Sequence, residues 1–492
     1  HKVHQRPIQH LLTLLIMTIL HPDRVSLVKS LAVKSSQRVV LVGGGHAHVQ
    51  VIKALNTRSR PKDMQVSLID MQKSASYSGM VPGAISRFYS PDETLLHLEP
   101  LANWAGIQFD QDQVVDIDFE QNLVYLKDEP NQPIPFDVVS IDIGSASRGL
   151  NDVPGARENT IPTRPIWELV KRIDEAEQHL GETAHVVVVG GGVAGIELSM
   201  SIRGRWESIL PNGTLQITLL NSGSELISNE SPACQRALND ILERRCITVR
   251  HDCQVKEITE NVVELQDGEK IEYTTCLWAT GAAAHPLAET LGKRGLAIND
   301  RGWIRVNEHL QSLSHPQVFA AGDCSVMEVP GIKTPQKAGV YAVRSGPILT
   351  ENLPNYLENK PLKEYIPQDD FLKIIVCGDG TAVGFRFGIP LYGKWVMKMK
   401  DAIDTMFMDL FNKENLPYLT DGTTHDVSQY DAAMDQKQLP RLEAHEAAEL
   451  LQRTDDDVDY EVAWNVLRQM TKDQEYREEV LACIESHVAV MA

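Results

Sequence analysis

Residues 38–49 read RVVLVGGGHAHV, a short apolar run followed by three glycines and the start of a helical pattern. The pattern continues to Leu55, and a second apolar run, QVSLI at 65–69, ends at Asp70. This spacing predicts a strand, a glycine turn, a helix and a second strand. Such a unit can hold a dinucleotide, because glycines let the backbone approach a pyrophosphate and the helix N-terminus offers free N–H groups.

The same pattern returns later in the chain. HVVVVGGGVAG at 185–195 is followed by a helical pattern and by a further apolar run, LQITLL at 215–220. Gly190, Gly192 and Gly195 complete a GxGxxG motif, which is a strong signal when it lies between a buried strand and a helix. Two such units predict an α/β fold with two Rossmann-type dinucleotide-binding domains.

The first glycine turn departs from the motif. Gly43 and Gly45 are present, but His48 stands at the third glycine position, which serves close packing of helix on strand. His48 must therefore tolerate a wider approach of the helix or point away from the strand. His46 is expected either to face the pyrophosphate or simply to pack. Asp70 is placed to accept hydrogen bonds from the ribose hydroxyls of an adenosine.

Asn221 takes the place of Asp70 in the second unit. A neutral amide neither requires the free 2′-hydroxyl of NADH nor repels the 2′-phosphate of NADPH. No arginine follows it immediately. The sequence is therefore compatible with NADH or NADPH.

Composition excludes several classes of function. The chain has 492 residues, a formal net charge of -20 and 42% hydrophobic residues, which argues for globular cores and against a nucleic-acid partner. The seven cysteines form no CxxC or C-x4-C pair, which predicts reduced thiols and no zinc or other metal site. The acidic run at 454–464 lacks the glycine and closing glutamate of a calcium loop, so it is predicted to begin a helix.

The order of the motifs resembles a flavoprotein family. An N-terminal GxGxx turn, an inserted GxGxxG, ATG at 279–281 and AAGD at 320–323 are typical of the pyridine nucleotide-disulfide oxidoreductases in the broad sense, which include type II NADH dehydrogenases. The closer resemblance is to the flavoprotein module that precedes selenophosphate synthetase in some organisms. The resembling stretches are VLVGGGHAHVQVIKAL (40–55), YSGMVPGAISRFYSPDE (77–93), FDVVSIDIGSASR (136–148), TPQKAGVYAVRSGPIL (334–349) and YGKWVMKMKDAIDTMFMDLF (392–411).

The resemblance implies roles for individual residues. Glu197, in the GGGxxGxE of the second turn, would lie close to the nicotinamide and the flavin. Lys337 would lie near the flavin pyrimidine edge and steady negative charge on the reduced flavin, or else lie in solvent. FAD would be held by Gly43, Gly45, His46, Asp70, Gly144, Gly322 and Asp323, and NADH or NADPH by Gly190, Gly192, Gly195, Asn221, Thr280 and Gly281.

The resemblance also divides the chain, with the NAD(P) domain inserted in the FAD domain and an α+β region after them. The leader has a basic bias and an apolar run, Leu11–Leu20, too short to span a bilayer, and it is interpreted as an organelle-targeting or disordered segment. The predicted segments are 1–37 (leader), 38–158 (FAD domain, first part), 159–285 (NAD(P) domain), 286–350 (FAD domain, second part), 351–412 (C-terminal domain) and 413–492 (acidic helical tail).

The electron acceptor is predicted by elimination. Disulfide reductases place a C-x4-C pair beside the flavin, and the matching stretch, KSASYSG at 73–79, has no cysteine. Direct thiol–disulfide chemistry is therefore excluded at that site, and sulfide oxidation through paired cysteines is disfavoured. A quinone, oxygen or another carrier remains, and a quinone-like acceptor is expected.

An amphipathic segment bears on the acceptor. In type II NADH dehydrogenases a C-terminal amphipathic segment docks on the bilayer, so residues 393–411 are expected to make a peripheral membrane contact in a chloroplast or mitochondrion. The alternatives are packing on the flavin domain or on the partner of a homodimer. The stripe consists of Trp395, Met399, Ile403, Met406, Phe407 and Leu410.

Three functional hypotheses follow. The first is an FAD-dependent NAD(P)H dehydrogenase with a quinone-like acceptor. The second is a reductase linked to selenium metabolism. The third is an FAD-containing structural subunit of a larger membrane complex, with the acidic tail as the arm that binds a protein partner.

Overall fold

Two five-stranded parallel sheets carry the two glycine turns in the computed structural model. The structure describes residues 36–491 except 57–59, 211–213, 413, 415, 417–436 and 438. The predicted leader lies outside the described residues up to position 35.

The helices and strands of the described residues alternate through most of the chain. The strands are β1 (Gln37–Val42), β2 (Met64–Asp70), β3 (Ser74–Ser76), β4 (Leu95–His97), β5 (Gln108–Gln111), β6 (Val114–Asp118), β7 (Leu123–Leu126), β8 (Ile134–Pro135), β9 (Val138–Ile141), β10 (Ala146–Ser147), β11 (Ile161–Pro162), β12 (Ala184–Val189), β13 (Leu215–Leu220), β14 (Ile247–Arg250), β15 (Val255–Ile258), β16 (Val262–Leu265), β17 (Lys270–Glu272), β18 (Thr275–Trp278), β19 (Ala282–Ala283), β20 (Ile304–Val306), β21 (Val318–Ala320), β22 (Ser325–Met327), β23 (Lys373–Val376), β24 (Ala382–Arg386) and β25 (Ile389–Gly393). The α-helices are α1 (His46–Ala54), α2 (Val81–Ile85), α3 (Leu98–Ala105), α4 (Ala156–Asn159), α5 (Ile166–Gln178), α6 (Val193–Trp206), α7 (Pro232–Arg244), α8 (Pro286–Lys293), α9 (Gly339–Leu357), α10 (Lys394–Asp409), α11 (Ala444–Gln452), α12 (Tyr460–Lys472) and α13 (Gln474–Met491), and 3-10 turns lie at Asp92–Thr94 and Gly322–Cys324.

The first sheet has the strand order β21-β9-β1-β2-β5. Strand β1 lies at its centre, with Val39 in register with Val66 of β2 and with Val138 of β9. Because helices cover both faces of a parallel sheet, the inner part of its central strand is apolar, and residues 39–42 are fully buried. Strand β21 follows the whole second sheet in the chain, so the second unit is an insertion in the first.

The second sheet, β11-β18-β12-β13-β14, repeats this plan. Strand β12 precedes the GxGxxG turn, as β1 precedes the first turn, and β18 pairs with it as β9 pairs with β1. The predicted α/β class with two Rossmann-type units, one inserted in the other, is confirmed. The residue numbers given above for the segment boundaries stay predictions.

The C-terminal part joins an antiparallel sheet, β23-β24-β25, to helices α10 to α13. Helix α12 begins at Asp459, whose carboxylate accepts hydrogen bonds from the backbone N–H groups of Glu461 and Val462. The acidic run before α12 is therefore a helix cap, as predicted. Apolar side chains of the tail from Ala444 to Ile484 pack on their own chain. The expectation that the tail binds a protein partner stays a prediction.

The stripe on α10 is covered by protein. Trp395 and Met399 are fully buried in a cluster with Val466 of α12, and Phe407 is buried in the core of the first sheet. These three side chains therefore do not meet a bilayer. Packing within the protein, which the sequence left open, covers them, while Ile403, Met406 and Leu410 are half-buried. A peripheral contact through other residues of 393–411 stays a prediction. No helix among the described residues is long and apolar enough to cross a membrane.

Trp395 ties α10 to the helices that follow it. Its indole Nε1 donates a hydrogen bond to the carbonyl oxygen of Arg453 at 3.0 Å. We expect Trp395→Ala to lower the free energy of unfolding by about 3–5 kcal/mol, because it leaves a cavity in a packed core. Chemical denaturation followed by fluorescence measures the loss. Trp167→Ala, which removes a ring that is 40% exposed, is the matched control and should cost far less. Equal losses of stability for the two variants would contradict the conclusion that Trp395 is packed in the core.

Candidate functional site

The first glycine turn is held from two sides. A Cβ on Gly43, which has φ +87°, would lie 2.5 Å from the carbonyl oxygen of Asp142, so only glycine fits there. The Asp70 carboxylate accepts hydrogen bonds from the N–H of Gly44 at 2.7 Å and of Gln72 at 2.7 Å. Burial raises the Asp70 pKa, and the two N–H donors oppose this rise. Asp70 therefore lies at the turn, where the sequence places it.

His48 resolves the irregular motif. Its ring is fully buried between helix and sheet, with Nδ1 2.6 Å from the carbonyl oxygen of Gly43 and Nε2 2.8 Å from Oγ of Ser140 on β9. Burial lowers the His48 pKa to about 4, so the ring is neutral. It does not point away from the strand, which was one of the two predicted alternatives, and it does not line the cavity at the turn.

Asp142 is a residue that the sequence argument missed. Its Oδ2 accepts hydrogen bonds from the N–H groups of Ala47 at 2.9 Å and His48 at 3.2 Å, in the first turn of α1. Burial raises the Asp142 pKa to about 7, and the N–H donors oppose the rise. The available signal was an acid inside an otherwise apolar strand run, VVSIDIG.

His46 faces an open cavity beside aromatic rings. Its ring centroid lies 5.3 Å from that of Tyr77, which stacks on Phe407 at 4.9 Å. Burial lowers the His46 pKa to about 4. Its Nε2 is buried and makes no hydrogen bond with any described residue. An orphaned buried nitrogen on a cavity wall fits a site that a polar ligand completes.

Another side of this cavity is formed by residues that are distant in sequence from the first glycine turn, among them Gly144, Asp323 and Lys337. Asp323 accepts a hydrogen bond from Oγ of Ser145 at 3.0 Å and lies 3.5 Å from Arg164. Gly144, with φ +68°, has open space where a Cβ would stand. Lys337 lines the cavity, donates to the carbonyl oxygen of Ser325, and its ammonium lies 4.1 Å above the ring of Trp303. Lys337 is thus not in open solvent, and burial lowers its pKa.

The second glycine turn is the more open of the two. A Cβ on Gly190 would lie under 3.0 Å from the carbonyl oxygen of Ala279, and one on Gly195 under 3.0 Å from that of Gly190. Gly192 has no atom within 4 Å of its Cβ position. These three glycines therefore match the motif, with the open position at the N-terminus of α6.

Three more predicted residues lie beside the second turn. The amide nitrogen of Asn221 donates to the carbonyl oxygens of Gly223 at 2.9 Å and Glu225 at 3.0 Å, so its N–H groups hold their own loop. The Thr280 hydroxyl donates to the carbonyl oxygen of Arg148. Gly281 has φ +97°, a conformation that favours glycine.

A buried ionic cluster lies between α6 and α10. The Glu197 carboxylate accepts a hydrogen bond from the N–H of Val376 at 2.8 Å. Burial raises the Glu197 pKa to about 7, and the ammonium of Lys400 partly offsets the rise. Lys400 donates to Asp404 at 2.6 Å and to the carbonyl oxygen of Gly79 at 2.6 Å. The sequence argument named neither Lys400 nor Asp404 as a site residue, because helical spacing does not show which polar side chains a neighbouring element buries.

One cavity of about 1080 Å³ brings together the first glycine turn, Lys337, Glu197 and the Lys400–Asp404 pair. The predicted residues of the second turn are not among the described residues of its wall: Gly190, Gly192, Gly195, Asn221, Thr280 and Gly281. Its wall runs from the first glycine turn past Glu197 to α10 and α12. The stretch Lys73–Gly79 lines it with β3 and the Tyr77 ring. All seven cysteines are free, and none is among the described residues that line the cavity. The walls therefore offer carboxyl, imidazole and ammonium groups but no thiol.

Comparison with known proteins agrees with this geometry. The sequence model of the family described as pyridine nucleotide-disulphide oxidoreductase matches residues 37–344. The type II NADH:quinone oxidoreductase of Haemophilus influenzae is 24% identical over 388 residues, 71% of this chain and 86% of the relative. The ferroptosis suppressor protein 1 of Xenopus laevis is 27% identical over 349 residues, 68% of this chain and 85% of the relative. NDH2 from Plasmodium falciparum, solved in complex with NADH, has the same fold, with a TM-score of 0.66 at 14% identity over 77% of this chain and 98% of that one.

The Lys400–Asp404 pair is a testable feature of the site. Both side chains are more than nine-tenths buried. We expect Asp404→Asn to lower the free energy of unfolding by about 3–5 kcal/mol, because it leaves the Lys400 ammonium buried without its counter-charge. Asp401→Asn is the matched control: Asp401 is exposed, binds the Tyr89 hydroxyl, and should change stability by about 1 kcal/mol or less. Chemical denaturation measures the stability of both variants. Indistinguishable midpoints of unfolding for Asp404→Asn and Asp401→Asn would show that the Lys400–Asp404 pair is not shielded from water.

Proposed function

Because the chain belongs to the pyridine nucleotide-disulphide oxidoreductase family, we propose that it is an FAD-dependent NAD(P)H dehydrogenase that passes electrons to a quinone-like acceptor. The observation that carries the proposal is the cavity, which runs from the first glycine turn to Val193, Ala194 and Glu197 at the start of α6 without a cysteine in its described wall. Electrons that enter from a nicotinamide must therefore leave to an acceptor that needs no protein thiol.

The residues around the first turn fit FAD. Gly45 and His46 lie partly open to the cavity at the N-terminus of α1, where an anionic pyrophosphate is favoured. The orphaned Nε2 of His46 and the open space at Gly144 support a ligand there. Gly43, Asp70, Gly322 and Asp323 complete the proposed FAD site, and Gly190, Gly192, Gly195, Asn221, Thr280 and Gly281 the proposed nicotinamide site.

The chain contributes placement and proton handling. Bound FAD would supply a flavin ring able to accept hydride from NADH or NADPH. Glu197 holds a proton near neutral pH because its pKa is raised to about 7, and Lys400 lies close enough to influence that pKa. A quinone takes up protons with electrons, so a protonated Glu197 can give a proton to the acceptor or its water. Lys337 adds a positive charge on the opposite part of the same cavity wall, the role proposed for it from the sequence.

The quinone-like acceptor rests on the relatives. The Haemophilus relative is named a type II NADH:quinone oxidoreductase, and this chain is 24% identical to it over 86% of its length. Membrane quinones lie in lipid, so we propose a peripheral contact through a surface other than the covered α10 stripe, in a mitochondrion or chloroplast. Tail side chains from Ala444 to Ile484 pack on the protein itself, which leaves less apolar surface for the partner that the structural-subunit hypothesis requires.

A selenium-linked reductase is the alternative acceptor assignment. It rests on the resemblance to the module that precedes selenophosphate synthetase. At the end lined by α12, the cavity wall carries five basic side chains and one acid, Asp370, which would suit an anionic acceptor. The basic residues are Arg344, Lys373, Arg386, Arg468 and Lys472.

Anaerobic titration tests the proposed function. We expect purified protein to be yellow, to bleach with NADH or NADPH, and to regain colour with a short-chain quinone. Recovery with selenite but not with quinone would favour the selenium-linked alternative. Yellow protein that neither nucleotide bleaches would overturn the dehydrogenase and leave the structural subunit.

Gly192 provides a sharper test of the nicotinamide site. Its φ of -77° suits alanine, and no atom lies within 4 Å of the Cβ position, so Gly192→Ala should fold normally. The added methyl would narrow the turn at the cofactor pyrophosphate, so we expect KM for the nucleotide to rise by at least about tenfold. FAD content should stay unchanged. Gly181→Ala, where a Cβ meets only one atom at 3.8 Å, is the control, and an equal effect of both variants would argue against the site.

A further inference from the structure

The two glycine turns of this chain differ at matched places. A Cβ on Gly43 would meet the carbonyl oxygen of Asp142, and a Cβ on Gly190 would meet that of Ala279. Both of these neighbours directly follow the strand that pairs with the central strand, β9 in the first unit and β18 in the second. Asp142 therefore stands in the first unit where Ala279 stands in the second.

Polar replacements surround Asp142 in the first unit. His48 takes the place of Gly195, and its ring forms a hydrogen bond with the carbonyl oxygen of Gly43. In the second unit, a Cβ on Gly195 would collide with the matching carbonyl oxygen, that of Gly190. The other ring nitrogen bonds to Ser140, whose counterpart in β18 is Leu277. Three small or apolar residues of the second unit thus have polar counterparts in the first unit, and these counterparts are hydrogen-bonded to one another. The polar counterparts are His48, Ser140 and Asp142.

The carboxyl group of Asp142 fills space that is empty in the second unit. A Cβ on Gly45 would lie under 3.0 Å from this carboxyl group, and one on Gly322 would lie 2.7 Å from its Oδ1. Gly192, the counterpart of Gly45, has no atom within 4 Å of its Cβ position. Gly45 and Gly322 therefore make room for Asp142 as well as for a cofactor.

The surroundings of Asp142 disfavour a negative charge. Asp70 and Asp323 both act on it as neighbouring acids. His46 and His48 on α1 are neutral near pH 7, because burial lowers the pKa of each to about 4. The buried Cys324 thiol, with its pKa raised to about 12, brings no positive charge.

The nearest cations are engaged elsewhere. Arg164 lies 3.5 Å from Asp323, and Lys337 donates to the carbonyl oxygen of Ser325. A pyrophosphate at the same helix N-terminus would add further negative charge beside Asp142. Closely spaced anions of this kind cannot all stay ionised, so one of them takes a proton.

We propose that Asp142 is a positioning residue for the FAD pyrophosphate that takes up a proton when FAD binds. The inference rests on the FAD part of the proposed function. Oδ2 accepts both N–H groups of α1, so Oδ1 carries the proton and becomes a hydrogen-bond donor. The proton comes from solvent, and no other bond changes. Before FAD binds, the Asp142 pKa is about 7, and a bound pyrophosphate raises it further.

The sign of the pH dependence follows from this shift. Below pH 7 Asp142 is protonated with or without FAD, so Kd for FAD should stay constant. Above pH 7 Asp142 is ionised in the FAD-free protein and must take up a proton when FAD binds. Kd for FAD should therefore rise by up to about tenfold per pH unit. Asp142→Asn keeps an oxygen acceptor and an N–H donor in place without a charge, so its Kd should stay flat from pH 6 to 9. At pH 8.5, 1.5 pH units above the pKa, the variant should bind FAD up to about thirtyfold more tightly than the parent protein.

Fluorescence titration of the FAD-free full-length chain with FAD measures these constants. Calorimetry in two buffers of different ionisation enthalpy adds a direct readout: near pH 8 the parent should take up close to one proton per FAD, and Asp142→Asn close to none. Asp300→Asn, at an exposed acid, is the control and should behave like the parent.

Two results would overturn the inference. One is an equal pH slope for the parent and Asp142→Asn, as a purely structural role predicts. The other is binding of FAD by the parent without proton uptake, which decides the matter even if the variant fails to fold. Failure of the parent to bind FAD at any pH would instead overturn the FAD part of the proposed function, and this inference with it.

Discussion

The close approach of each glycine turn to the strand beside it is the constraint on which the rest of this structure depends. Backbone carbonyls of Asp142 and Ala279 lie where side chains of Gly43 and Gly190 would have to be. Any other residue at these glycines would push the turn away from the neighbouring strand. The contact sets where α1 and α6 begin, and so where both helix N-termini offer N–H groups to the central cavity.

Two of the acids buried around that cavity have pKa values near neutral pH. Burial raises the pKa of both Asp142 and Glu197 to about 7, although backbone N–H donors stabilise each carboxylate. Lys400 and Asp404 form a buried salt bridge, with the ammonium nitrogen 2.6 Å from the carboxylate oxygen. A chain with a net charge of -20 thus presents proton-holding groups at its centre and leaves most of its acids to solvent.

Helix α10 illustrates how an amphipathic pattern can be correct and its partner still undetermined. The stripe of Trp395, Met399 and Phe407 is apolar as expected, and the helix runs close to its predicted span. The helical periodicity shows that one face of the helix is buried. It does not show whether that face is covered by a bilayer, by a second protomer or by the protein's own chain. Here Val466 and its neighbours on the C-terminal helices supply the cover, with the core of the first sheet at Phe407.

The sequence by itself determined the two strand–turn–helix–strand units, because apolar runs and glycine turns act through neighbours a few residues apart. It also located Gly43, Asp70, Gly192 and Glu197 at those turns, and it excluded a redox-active cysteine pair beside them. Only the tertiary structure decided that His48 bonds to Ser140, that Asp142 caps α1, and that Lys400 and Asp404 are buried beside Gly79. These partners lie far apart in the chain, and their burial depends on how sheets and helices pack, which no local spacing encodes.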